Sequence, residues 1–393
     1  MTRNTPKPGT IAVWAGEQTP MWERSTQVPV VHSVSFGYDD LDEWMSVARG
    51  EASGHIYSRN TNPTVTAFEQ KVAALEGAET ATGFSTGMAA ISTTLSTLLK
   101  PGDRVVSIKD TYGGTTKIFL DFLPPLGIEV ELCDTGDYES IEREIAHGCT
   151  VVYLESPTNP TLKVLDLERF ARAGHDVGAT VVVDNTFATP INSTPLQLGA
   201  DLTLHSATKF LGGHADALGG VACGDASLIE RIYHHREING PTLHPMSAYL
   251  LLRGMKTLHL RVRQQNESAM AIARFLLDHA AVESVNYPGL ETHPHHDVAV
   301  RQMTGFGGVL SFTLEAGLEG VGSLVSNLRY GHAAANLGSV ETVIGPPVTT
   351  SHVENTPEER ATMGIPEGLL RYSVGIEDTD DLIADLGAAL DNI

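Results

Sequence analysis

Leu204-His205-Ser206-Ala207-Thr208-Lys209-Phe210-Leu211-Gly212-Gly213-His214 leaves a short apolar strand, passes two hydroxyls, reaches one lysine and ends in glycines. A lysine that attacks an aldehyde needs a rigid strand end to hold it and partial desolvation to lower its pKa. Lys209 is placed for both. Ser206 and Thr208 stand close enough to offer hydroxyl donors to a phosphate, and the glycines let the backbone turn without Cβ clashes. A lone S-x-T-K is more often a polar turn with a surface lysine, so the surrounding sequence has to decide.

That surrounding sequence alternates short β-branched runs with helical or turn segments between about 104 and 224. The runs are Arg104–Ile108, Glu129–Leu132, Thr150–Leu154, Thr180–Val183, Asp201–Leu204 and Gly220–Ala222. The pattern predicts an α/β domain with a mostly parallel sheet covered on both faces. In such sheets ligands bind beyond the carboxyl ends of the strands. Polar residues stand at those ends: Tyr112 after the first run, Glu155 and Asn159 after the third, Asp184 after the fourth and Ser206 to Lys209 after the fifth. Asp184 directly follows three valines, so it lies at the border of a buried sheet. There a carboxylate needs a cationic partner, unless it merely caps its own turn.

Upstream, Gly83-Phe-Ser-Thr-Gly87-Met88-Ala-Ala-Ile91 reads as a glycine-bearing turn that opens a helix running toward Leu99. Free N–H groups and the positive end of the helix dipole make such a turn an anion site. Neither G-x-x-x-x-G-K-[ST] nor a G-x-G-x-x-G after a strand occurs, which argues against nucleoside triphosphates and dinucleotides. Before it, Gly54-His-Ile56-Tyr57-Ser-Arg59-Asn-Thr-Asn62-Pro63-Thr64 leads into a helix with Val65, Phe68, Val72 and Leu75 on one face, stopped by Gly77.

Residues 1–60 read as an irregular arm that packs on its own body or on a neighbouring subunit, residues 61–255 as the large domain and 256–393 as a smaller α+β domain. The last has a helix from Ser268 to His279, a strand from Gly308 to Thr313 and a closing helix from Asp380 to Leu390. Within it Leu369-Leu370-Arg371-Tyr372-Ser373 sets an arginine in an apolar strand. Its guanidinium calls for a carboxylate, either a buried acid or that of a substrate. Thr292-His293-Pro-His295-His296-Asp297 resembles a metal tract but reads better as a solvated loop, and no metal is expected.

The chain has 393 residues, with 48 acidic against 26 basic side chains and a net charge of −22. That balance repels nucleic acid and anionic membrane surfaces. Cys133, Cys149 and Cys223 are odd in number and widely spaced, suggesting neither disulfides nor zinc and fitting a reducing cytoplasm. The opening Met1-Thr-Arg-Asn-Thr-Pro carries no apolar leader, and no run is long enough to span a bilayer.

A Schiff-base lysine, a strand-end aspartate, a phosphate cup at a helix start, a ring-stacking tyrosine and a carboxylate-binding arginine are together what a pyridoxal phosphate enzyme needs. The segments Tyr57–Thr64, Ser85–Ala90, Tyr112-Gly-Gly114, Glu155-Ser-Pro-Thr-Asn-Pro160, Val183-Asp-Asn-Thr186, His205–Lys209 and Leu370–Asp378 closely resemble the cystathionine γ-synthase-like family of pyridoxal phosphate enzymes, in motif order and over nearly the whole chain. The resemblance implies a type I pyridoxal phosphate fold and, as a rule, a homotetramer of two catalytic dimers. It implies that Lys209 holds the cofactor and shuttles protons, that Asp184 keeps the pyridine nitrogen protonated, and that Tyr112 stacks on the ring. Phosphate would be held by the Gly87 and Met88 amides, by Ser206 and Thr208, and by Tyr57 and Arg59 of a neighbouring subunit, with Thr186 beside the ring. Arg371 would fork the substrate carboxylate, with Asn159 and Thr342 next to it.

The implied chemistry is γ-elimination or γ-replacement on a sulfur-containing or activated homoserine-type amino acid. A specialised γ-replacement using a donor such as S-adenosylmethionine is the alternative, and a non-catalytic scaffold is disfavoured because every cofactor position is intact. Methionine γ-lyases usually carry a cysteine where this chain has Gly114. Lys117 stands where cystathionine enzymes commonly have an arginine, Glu341 matches a glutamate near the distal amino group, and Ile56 replaces an acidic residue. Asn336 and His244 also depart from common family choices. Glu341 and Lys117 are accordingly expected in the distal substrate pocket.

Overall fold

The computed structural model describes residues 6–17, 24–353 and 356–393. Seven strands, β1 (Thr80–Phe84), β2 (Arg104–Ile108), β3 (Glu129–Cys133), β4 (Val151–Glu155), β5 (Thr180–Asp184), β6 (Leu202–Ser206) and β7 (Gly220–Gly224), form one sheet in the order β1-β7-β6-β5-β4-β2-β3. Strands β2 to β6 pair in parallel, while β7 runs antiparallel to β6 and to β1. The Val, Ile and Leu runs fill both faces, and β4 is buried along its whole length. Each such aliphatic side chain withdrawn from water stabilises the fold by about 1.5–3 kcal/mol.

All six expected strands are present. The seventh, β1, runs into the segment read as a turn, because Thr-Ala-Thr-Gly-Phe lacks a β-branched run; it is an edge strand of this sheet, paired with β7. Helix α3 (Pro63–Glu76) starts on Asn62, whose side chain accepts from the Thr64 amide at 3.0 Å, and stops at Gly77 with φ of +71°. Helix α4 (Gly87–Leu98) starts on Thr86, whose hydroxyl caps the Ala89 amide at 3.0 Å.

Five strands make a second, smaller sheet in the order β10-β11-β12-β9-β8: β8 (Val282–Asn286), β9 (Val309–Leu314), β10 (His332–Ala333), β11 (Val343–Gly345) and β12 (Leu369–Ser373). Its core is closed by the helices Leu258–Leu277 and Thr379–Leu390. The first of these begins ten residues before the expected Ser268. Its early turns bury Arg261 and Gln265, and these polar residues hide the apolar periodicity. Arg261 donates to the carbonyls of Phe210 at 2.8 Å and Gly254 at 3.0 Å, lying across Gly213. A Cβ on Gly213, which has φ of +72°, would sit 2.1 Å from the guanidinium, so the turn after Lys209 requires glycine there.

The arm is less irregular than its sequence suggests. It holds α1 (Pro8–Trp14) and α2 (Leu41–Ala48). Helix α1 docks on the chain's own body: the buried Lys71 ammonium caps its last turn at the Ala12 carbonyl, 3.0 Å away, and pairs with Glu17 at 2.5 Å. The histidine tract is not a solvated loop either. His293 is buried with Nε2 at 3.1 Å from the Leu162 carbonyl, His295 stacks on Tyr138, and His296 opens a helix to Gln302. No helix among the described residues is long and apolar enough to cross a membrane.

Candidate active site

The carboxyl ends of β4, β5 and β6 meet at a cavity of about 240 Å³. Glu155 and Asp184 are register partners at the ends of β4 and β5, and Lys209 comes in from the turn after β6. Asp184 accepts from the Thr186 amide at 3.0 Å and, more loosely, from the buried Tyr153 phenol at 3.5 Å. Neither donor is charged. Burial pushes the Asp184 carboxyl up, and burial together with the Asp184 charge pushes Glu155 well above the carboxylate range. Glu155 in turn accepts the Tyr112 amide at 2.8 Å, fixing the half-exposed tyrosine at the cavity wall.

Among the described residues Lys209 is the only lysine lining the cavity, and its ammonium donates to Asn336 Oδ1 at 2.8 Å. Burial, reinforced by the charge of Arg371, brings its amine down from 10.5 to about 8. Arg371 is buried on β12, donating to Asn159 Oδ1 at 2.9 Å and to the Asn336 carbonyl at 3.0 Å, while its Nε has no partner. Burial lowers it to about 10. No carboxylate among the described residues answers this guanidinium.

At the opposite end, α4 presents its first amides beside the strand-end hydroxyls. A Cβ on Gly87 would meet Ser206 Cβ at 2.7 Å and Cα at 2.9 Å, so only glycine lets the helix start lie against β6. Gly87, Met88, Thr186, Ser206 and Thr208 all line the cavity. Thr186 Oγ1 accepts the Ser206 amide at 2.9 Å, tying the two strand ends together. Thr208 is held by Gly219, whose amide donates to its hydroxyl at 3.1 Å.

The cavity does not gather every residue expected of it. Thr342 is fully buried, donates to Glu377 at 2.9 Å and accepts the Gly375 amide at 3.0 Å; its hydroxyl is spent on bracing the chain behind Arg371. Glu341 is exposed and outside the lining, in a bend just before β11, while its neighbour Thr342 is buried. Lys117 is exposed too. Tyr57 and Arg59 lie off this chain's cavity, with the guanidinium 5.5 Å from the Tyr57 ring and donating to the Glu237 carbonyl at 2.5 Å. Conversely, Glu155 and Asn336 stood out in the sequence only as a strand-end acid and an unusual residue, without roles. Phe187, Leu218, Leu337, Thr350 and Ser351 also line the cavity, and nothing in their local sequence marks them.

Residues 9–391 match the Cys/Met metabolism PLP-dependent enzyme family. The chain belongs to that family. This Cys/Met-metabolism enzyme is 40% identical over 388 residues to L-methionine gamma-lyase of Fusobacterium nucleatum subsp. polymorphum, with 98% of each chain covered. It is 44% identical over 345 residues to cystathionine gamma-lyase of Bacillus subtilis (strain 168), covering 88% of this chain and 90% of that one. A crystal structure of cystathionine gamma synthase from Xanthomonas oryzae pv. oryzae, in complex with aminoacrylate and cysteine, superposes with a TM-score of 0.94 at 39% identity, covering 99% of both chains. The fold is therefore the type I pyridoxal phosphate fold.

The residues fit the cofactor. Amides and hydroxyls at the α4 end suit a phosphate, the Asp184 carboxylate accepts only from the uncharged Thr186 amide and Tyr153 phenol and so suits a protonated ring nitrogen, and the Lys209 amine suits an aldehyde. The unpaired Nε of Arg371 leaves one edge of the fork open to a carboxylate.

Proposed function

We propose that this enzyme carries out γ-elimination or γ-replacement on an amino acid bearing a sulfur or activated-oxygen leaving group, with cystathionine and O-acylhomoserines ahead of methionine. The observation that carries the reading is the juxtaposition, in one cavity, of a lysine brought to about 8 and a buried arginine with no acidic partner. Pyridoxal phosphate supplies an electron sink for the carbon from which a proton is removed. The chain supplies the rest.

Arg371 forks the α-carboxylate and so fixes which face of Cα meets Lys209. Lys209, half neutral near pH 8, takes the Cα proton and carries it toward Cβ, while Asn336 Oδ1 holds the amine between transfers. Tyr112, pinned by Glu155, presents its phenol at the mouth, where it can give a proton to the departing group. Methionine ranks last because Gly114 stands in place of the cysteine usual in methionine γ-lyases; a Cβ there would lie 2.9 Å from both Met88 Sδ and Tyr112 Cε1, so a larger residue would enter only if those side chains shifted. Turnover of cystathionine, acylated homoserines, homocysteine and methionine, followed by 2-oxobutanoate release with and without a thiol, tests the ranking. Methionine as the best substrate would overturn it.

The working unit is a homodimer within a tetramer, in which Tyr57 and Arg59 complete the phosphate site of the partner. Their exposure and their distance from this chain's own cavity support this reading. Mixing inactive Arg59→Ala with inactive Lys209→Ala subunits should restore activity through hybrids with one intact site. No recovery after demonstrated subunit exchange would mean that each chain builds its site alone. The reading also assigns the protein to the cytoplasm, where its three unbridged cysteines stay reduced.

A further inference from the structure

The turn that carries Tyr112 is tied at two points to the loop that follows β4. The Lys109 amide still donates to the Cys133 carbonyl of β3 at 2.9 Å, and past it the chain leaves the sheet. Thr111 spends its hydroxyl inside the turn, on Thr116 at 2.9 Å. The Glu155 carboxylate, accepting the Tyr112 amide at 2.8 Å, fixes one point of the turn, and about a single point a turn can pivot. The second point lies two residues earlier. There the buried Asp110 carboxylate takes the Lys163 ammonium at 2.6 Å and, more loosely, the Thr161 hydroxyl at 3.4 Å. A carboxylate withdrawn from water needs such a cation, and the long lysine side chain gives up its rotamer freedom to supply it.

The loop on the other side of this tie is itself held firmly. The Thr158 amide donates to the Lys163 carbonyl at 2.9 Å, the Lys163 amide to the Thr158 hydroxyl at 3.1 Å and the Leu165 amide to the Ser156 hydroxyl at 3.0 Å. Leu162 stands at φ of +56°, an uncommon conformation for leucine that these bonds and the His293 contact with its carbonyl sustain. From this loop Asn159 accepts Arg371 at 2.9 Å. One braced loop therefore touches both the tyrosine turn and the arginine fork. We propose that Asp110 and Lys163 form a positioning pair for the reaction: their ion pair stops the turn from pivoting about Glu155 and so sets the Tyr112 phenol at a fixed place relative to Arg371. The inference rests on the reading that Tyr112 serves the departing group. Neither Asp110 nor Lys163 lines the cavity, so both act through Tyr112.

The test combines steady-state kinetics with the visible circular dichroism of the bound cofactor, on holoenzyme well below its melting temperature. Lys163→Met cuts the tie but leaves Asp110 buried without its cation. The double variant Asp110→Asn/Lys163→Met cuts it with no charge left behind, and it decides the matter should the single variant fail to fold. Either is expected to lower kcat by about 10- to 100-fold, the range that misplacing a reacting group costs, with KM changed by less than about threefold. The dichroism band should change with it, because the ring's stacking partner has moved. Lys163→Arg keeps a cation at that reach and should hold kcat within about threefold of the wild type. A pair that is merely structural would lower the melting temperature and leave kcat and the dichroism in place; that result, or a loss confined to KM, overturns the proposal. Tyr112→Phe is run alongside. If it leaves kcat unchanged, the reading of Tyr112 fails and the pair has nothing to position. If it lowers kcat while the tie variants do not, only the positioning role of Asp110 and Lys163 fails.

Discussion

The floor of the cavity and its rim are built on different terms. On the floor, Asp184, Glu155, Lys209 and Arg371 each have at least one partner from the same chain, delivered by strands whose register leaves little choice of position. Tyr57, Arg59, Lys117 and Glu341, expected at the rim, are exposed and do not line this chain's cavity. The floor can therefore be argued from one chain, whereas the role proposed for the rim depends on substrate and on a second chain.

If this contrast is right, substitutions should grade from floor to rim. Lys209→Ala should abolish turnover, a loss of about 10²–10⁴-fold or more for a general base that also holds the cofactor. Arg371→Met should lower kcat/KM by about two to three orders of magnitude, expressed mainly in KM, since it removes the charged partner of a buried carboxylate. An effect on Arg371 no larger than that on a rim residue would erase the distinction.

The pH dependence of stability sharpens the same point. The Lys209 amine titrates at about 8 in the fold against 10.5 in an unfolded chain. Between those values the unfolded state binds a proton that the folded site refuses, so folding gains stability as pH rises through that window. In cofactor-free protein, Lys209→Met should be more stable than the wild type below pH 8, with the gap closing toward pH 10.5. Parallel melting curves across this range would mean that the lysine is not desolvated. At the far end of the scale, Glu341→Ala should change kcat/KM by less than about threefold for any donor, because an exposed carboxylate outside the lining contributes weakly through water. A tenfold loss confined to a cationic donor would bring Glu341 back to the distal pocket.

Much of the floor was legible because its signals are local. Three valines before Asp184, two hydroxyls before Lys209 and an arginine in an apolar strand each violate a burial pattern where a strand ends, and sheet topology makes strand ends converge. The rest depended on long-range packing. Asn336 meets Lys209 across 127 residues of chain. Thr342 and Glu341 show the same limit: which of two adjacent side chains turns inward depends on packing against distant segments, which local sequence does not fix. Helix α1 escaped notice because the residue that caps it, Lys71, lies more than fifty positions away.

The central claim is that Lys209, at the end of β6, is the residue that holds pyridoxal phosphate. Borohydride reduction of the holoenzyme followed by peptide mapping tests this most directly. A single modified peptide carrying the pyridoxyl group on Lys209 is the predicted result; the group on any other lysine, or its stoichiometric incorporation into Lys209→Ala protein, would contradict it.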